Sequence, residues 1–123
     1  MNHVFGASVR QRAGVAIIDL SGDINAFADQ ELDAAYTEAE SMGTSTILLN
    51  FGQVNYINST GIALIVGLLA HARKSQRHLA VCGLSDHYQE IFQITRLVDF
   101  MQIYSDEASL LAEAKPYVQT EGE

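Results

Sequence analysis

The apolar positions of the chain follow two different periods, and the switches between them mark its elements. Val15-Ala16-Ile17-Ile18-Asp19-Leu20 is rich in β-branched residues and predicts a strand. Ala7 to Gln11 predicts a weaker strand before it, with Ala13-Gly14 as the hairpin turn. After the turn Ser21-Gly22-Asp23-Ile24-Asn25 the period changes. Phe27, Leu32, Ala35, Tyr36 and Ala39 fall near helical spacing, with Asp29, Glu31, Asp33, Glu38 and Glu40 on other faces. This reads as an acidic amphipathic helix with Gly43 as its C-cap. Thr46 to Asn50 is apolar without alternation, as a central strand covered on both faces should be, and a polar loop is expected to follow it.

Beyond Ser59-Thr60-Gly61 the chain is apolar at Ile62, Leu64, Ile65, Val66, Leu68 and Leu69, which is wider than one helical stripe. Part of that helix must therefore face something besides its own sheet. His78 to Cys82 predicts another buried strand, and Gly83-Leu84-Ser85-Asp86 opens a helix carrying Tyr88, Ile91, Phe92 and Ile94. A last short strand falls within 98–104. Ser105-Asp106-Glu107 then caps a final helix with Leu110 and Leu111, which Pro116 helps to end. The order β-β-α-β-α-β-α-β-α defines a single α/β domain with a mostly parallel, mixed sheet and an N-terminal antiparallel edge hairpin. Residues 4–117 are expected to form it and 118–123 a flexible acidic tail.

Composition narrows the partners. Seven Lys and Arg against fifteen Asp and Glu give a net charge of −8, which argues against sequence-independent binding to nucleic acid or to an anionic membrane. No signal-like N-terminus or bilayer-length apolar run is present, so a cytoplasmic protein that meets other proteins is expected. Cys82, the single cysteine, lies in an apolar segment and reads as a buried small hydrophobe. His3, His71, His78 and His87 are scattered at spacings that suit no metal. With no Gly-rich phosphate loop either, neither a cofactor nor a metal is expected. Asp19 and Asp23 flank the end of the second strand as a solvated rim rather than an acid/base pair.

One hydroxyl stands apart. Ser59 lies where the polar loop ends and the apolar helix begins, beyond the carboxyl end of a strand. It reads as the N-cap of that helix and, in the sharper reading, as a group a partner can reach and that can bear a charge.

The segment Tyr56-Ile57-Asn58-Ser59-Thr60-Gly61-Ile62, with the strand before it and the helix after it, resembles the signature of the STAS domain of bacterial anti-sigma-factor antagonists. Gly22-Asp23-Ile24-Asn25 similarly resembles that family's Gly-Glu-Leu-Asp turn. The resemblance implies that Ser59 is the serine phosphorylated by the anti-sigma factor, a serine kinase, and dephosphorylated by a PP2C-type phosphatase, with Thr60 as the alternative acceptor. It also implies that Asp23, Asn25, Asn58, Ser59, Thr60, Gly61 and Ile62 meet the partner, and that the chain is a regulator without catalysis of its own. Asn58 and Asn25 stand where the family usually has Asp; Asn keeps the size and one acceptor and loses the charge. Two other readings stay open: a non-catalytic STAS subunit of a larger transport or signalling assembly, with Ser59 only an N-cap, and a hydrolase using Ser59. The apolar helix also leaves self-association open.

Overall fold

The computed structural model describes residues 3–114. Five strands lie side by side in sequence order: β1 (Gly6–Arg12), β2 (Val15–Ile24), β3 (Thr46–Ile57), β4 (His78–Cys82) and β5 (Gln102–Tyr104). β1 runs antiparallel to β2, and every later pair is parallel, so the sheet is mixed as expected. The hairpin closes at Ala13-Gly14, both with positive φ (52° and 79°), the geometry whose twist suits a two-residue turn.

Four helices cover the sheet: α1 (Asp29–Glu40), α2 (Ser59–Lys74), α3 (Asp86–Ile94) and α4 (Glu107–Ala114). Buried residues of α1, α2 and α3 pack with Ile18, Leu20, Leu49 and Val81 on one face. Leu110 and Leu111 of α4 cover Val15, Ile17, Leu48, Ala80 and Cys82 on the other. Ile47, Leu48 and Leu49 are fully buried, which accounts for the missing alternation in that run. On α2 the core stripe is Ile65, Leu68, Leu69 and Ala72, and full burial of each Leu or Ile contributes about 1.5–3 kcal/mol. Cys82 is buried, and desolvation pushes its thiol up to about 11, which leaves it inert at neutral pH.

Several boundaries differ from the sequence reading. The expected turn at Ser21 to Asn25 is strand as far as Ile24, and the expected polar loop after Asn50 is strand as far as Ile57. The two segments pair with each other in parallel from Ala16↔Ile47 to Ile24↔Ile57, with register shifts between Asp19 and Ser21 and between Gly22 and Asp23. Long-range pairing thus overrides a polar composition that alone reads as loop. Phe27 is no part of the core face: it sits in a turn of 3-10 helix, Ala26–Ala28, and is 95% exposed. The C-cap of α1 is Ser41 rather than Gly43, which adopts a positive φ of 75° two residues further on. A 3-10 turn, Leu97–Asp99, occupies the start of the expected last strand. Pro116 and the expected tail 118–123 lie outside the described residues.

Candidate functional site

The extended ends of β2 and β3 carry the two resembled motifs side by side. Asp23 faces Tyr56 and Ile24 faces Ile57 in the register. The Asn58 amide then donates to the Ile24 carbonyl (3.2 Å), which ties the start of α2 to the end of β2. On the other side, the Ile57 amide donates to the Tyr88 hydroxyl of α3 (2.9 Å). Two tethers from different elements therefore fix the backbone immediately before Ser59.

Asn58, and not Ser59, is the N-cap of α2. Its backbone is extended (φ −93°, ψ −177°) and its Oδ1 accepts from the Gly61 amide at 2.8 Å. Ser59 is the first helical residue, and both it and Thr60 are exposed. The version of the subunit reading in which Ser59 serves as the cap is thereby corrected: capping leaves the Ser59 hydroxyl unused. Asn25 acts in the same way one motif earlier, accepting from the Phe27 amide (2.9 Å) at the head of the 3-10 turn. Both Asn residues that depart from the family pattern thus act through a side-chain oxygen, an atom Asn and Asp share.

The other predicted residues fall into place less evenly. Gly61 is buried, and a Cβ there would lie 2.1 Å from the Ile24 carbonyl oxygen, so the close approach of α2 to β2 requires glycine. Ile62 is half-buried against the core. The Asp23 carboxylate is mostly covered: the His3 amide donates to it (3.2 Å) and the His3 ring lies 3.7 Å away. It is held by the N-terminal segment.

Exposed apolar residues flank Ser59 along the chain, beside the exposed polar Asn55 and Thr60. Tyr56, 53% exposed, precedes it; Val66, 43% exposed, follows two turns along α2 with Ala63, Gly67 and Ala70 also exposed; and the turn bearing Phe27 packs against α2. Sequence reasoning used Tyr56 only as part of the motif and did not find Tyr88, whose tether spans two elements and has no local signature. A cavity of about 130 Å³ lined by Gly52, Ile57, Gly83, Ser85 and Tyr88 adjoins the site. A larger groove of about 580 Å³, lined among others by Thr46, Arg73, His78 and Phe100, lies at the opposite, amino end of β3 and β4. Volume alone would favour the groove, but the motif residues converge on the smaller cavity's end of the sheet. Among the described residues no cluster of His, Cys, Asp or Glu is placed to hold a metal ion, and no helix is long and apolar enough to cross a membrane.

The fold and the paired motifs define a STAS domain, and the STAS domain model matches residues 7–110: the chain belongs to that family. The anti-sigma-B factor antagonist of Staphylococcus aureus is 31% identical over 86 residues, covering 70% of this chain and 80% of that protein. Among solved structures, an anti-sigma factor antagonist from Mycobacterium paratuberculosis superposes with a TM-score of 0.79 at 15% identity, covering 92% of this chain and 96% of the other. The Bacillus cell fate determinant SpoIIAA in its phosphorylated form gives 0.64 at 20% identity, covering 87% and 96%.

Proposed function

We propose that this protein is an anti-sigma-factor antagonist that works by partner switching in the cytoplasm. Unmodified, it binds an anti-sigma factor that is also a serine kinase, and so releases that factor's target. The observation that carries this reading is the Ser59 hydroxyl, exposed on the first turn of α2, free of the capping role and flanked by the exposed apolar Tyr56 and Val66. The name of the Staphylococcus aureus relative points the same way.

In the transfer step the Ser59 oxygen attacks the terminal phosphorus of a nucleoside triphosphate held by the kinase. A new O–P bond forms, the bond to the nucleoside diphosphate breaks, and the hydroxyl proton passes to a base of the kinase. This chain is the substrate and supplies no catalysis. The product carries about −1.5 to −2 charges at the helix N-terminus, where the dipole accommodates them and the fold is kept. A partner packed on Tyr56, Val66 and Phe27 would have to desolvate that dianion, at a cost of several kcal/mol, and each 1.4 kcal/mol is about tenfold in affinity. A PP2C-type phosphatase resets the switch.

Incubation with the kinase that copurifies with the chain, followed by site mapping and calorimetry, tests the proposal. Phosphate should map to Ser59, and the phosphorylated chain should bind about a hundredfold or more weakly than the unmodified one. The proposal fails if Ser59→Ala accepts phosphate as fast as wild type, or if both forms bind equally.

A further inference from the structure

The sheet stops short at its fifth strand. β5 begins opposite Ala80, so among the described residues no strand lies beside His78 and Leu79 on that side, and the space there belongs to the groove of about 580 Å³. Its buried lining is apolar: Leu69, Leu79, Met101 and Leu110. Its more exposed lining includes three residues with planar rings, His78, Phe100 and Tyr104, and two guanidinium groups, those of Arg73 and Arg77. Pockets for small molecules have this size, about 300–1,000 Å³, and this mixture of apolar walls and a few polar groups.

The charges of the lining are unevenly satisfied. Its two carboxylates are engaged: Asp99 accepts from Arg96 Nε (2.7 Å), and Glu113 accepts from the Tyr104 hydroxyl (2.6 Å). Its two cations are not. The Arg73 guanidinium sits over the Phe100 ring, 5.2 Å from the centroid, and among the described residues it has no carboxylate partner and no hydrogen bond. Arg77 gives one hydrogen bond, to the Thr44 carbonyl; its buried Nε has no acceptor, and the Glu40 carboxylate stands 3.8 Å away. Cations in the last turn of a helix complement its dipole, which accounts for Arg73 in part, but Arg77 lies beyond the end of α2. Each guanidinium carries five N–H donors in a planar fork that fits an acid group. We propose that the groove binds a planar aromatic acid, with its ring against the apolar and aromatic lining and its carboxylate on the donors that Arg73 and Arg77 leave free. Ser59 lies at the opposite end of α2, so the site is independent of the switch.

The probe is 2-naphthoate, titrated into the full chain at neutral pH and followed by the amide resonances. Two controls share its rings: 2-naphthylmethanol lacks the charge, and 2-naphthylmethylamine reverses it. Naphthoate should shift the amides of His78, Leu79, Phe100 and Gln102 to saturation, bind more tightly than either control, and weaken as salt is raised. Arg73 is exposed, and glutamine suits a helix, so Arg73→Gln should leave the rest of the spectrum unchanged while weakening naphthoate about tenfold. Phe100→Leu keeps an apolar side chain, removes the ring, and should also weaken it. The site is refuted if naphthoate fails to saturate in the millimolar range, if the alcohol or the amine binds as tightly, if the shifts cluster around Ser59 instead, or if Arg73→Gln binds naphthoate as wild type does.

Discussion

Gly61 has no room for a side chain, because the Ile24 carbonyl occupies the space a Cβ would take. Gly61→Ala must therefore push α2 away from β2, and overpacking of this kind costs about 1–3 kcal/mol. Urea denaturation should show that loss, and phosphorylation at Ser59 should slow with it, since the displaced turn carries the acceptor. Asn58 provides a gentler probe of the same turn. Asn58→Ala removes the capping oxygen and should cost about 1 kcal/mol, whereas Asn58→Asp keeps it and should unfold within a few tenths of wild type. Equal losses for the two would mean that the cap contributes nothing. At this scale the sequence exposed the motif but misplaced the cap by one residue. Asn and Ser are both N-cap types, and the choice between them is made by the extended backbone at Asn58, which depends on where β3 ends. Asp23 was legible as a motif residue, but not its cover by His3, a contact across twenty positions.

Strands β2 and β3 run past the apolar runs that announce them, and this lengthening is what brings the two motifs together. The element order, the hairpin and the buried β3 core were readable from β-branched runs, turn residues and missing alternation, all local signals. The polar extension Gln53 to Tyr56 was not, because its strand character comes from pairing with Ser21 to Asp23. Phe27 misled for a related reason: its spacing suits α1, but the Asn25 cap starts a 3-10 turn that rotates its side chain into solvent. The tether from α3 was equally beyond local reading, and it makes a prediction. Ile57 is buried, and its amide has the Tyr88 hydroxyl as its acceptor. Tyr88→Phe leaves that amide unpaired, at a cost of about 1–3 kcal/mol. Hydrogen exchange at Ile57 should accelerate, and the effect should reach Asn58 and Ser59 more than β4. Unchanged exchange at Ile57 would show that the tether does not hold the site.

The two faces of the sheet are held by different means, which separates stability from switching across the molecule. The face carrying α1, α2 and α3 closes on a broad apolar core, whereas α4 adds, among the described residues, Leu110 and Leu111 and a charged clasp. In the clasp the Arg10 guanidinium donates to Asp19 (2.6 and 3.1 Å) and to Glu107 (3.1 and 2.5 Å), Arg12 donates to Glu107 (2.8 Å), and Asn50 donates to Asp19 (2.9 Å). The Arg10 hydrogen bonds hold the Asp19 and Glu107 carboxyls below the usual carboxylate range. A carboxyl depressed in the folded state binds its proton more readily when unfolded. Its stabilisation is therefore present above the ordinary carboxylate range, about pH 4, and is lost as the pH falls through the lower folded values. Arg10 is partly exposed, so water and salt screen the clasp and its net worth stays near 1 kcal/mol or below. Glu107→Gln should thus lower the thermal midpoint by a few degrees at pH 7, by less in high salt, and by progressively less as the pH falls through the depressed folded value, where wild type itself loses the charge. Because the clasp lies on the α4 face, away from the turn that carries Ser59, the same variant should bind the partner and accept phosphate as wild type does. A midpoint difference that did not shrink as the pH fell through the acid range would assign Glu107 a packing role instead.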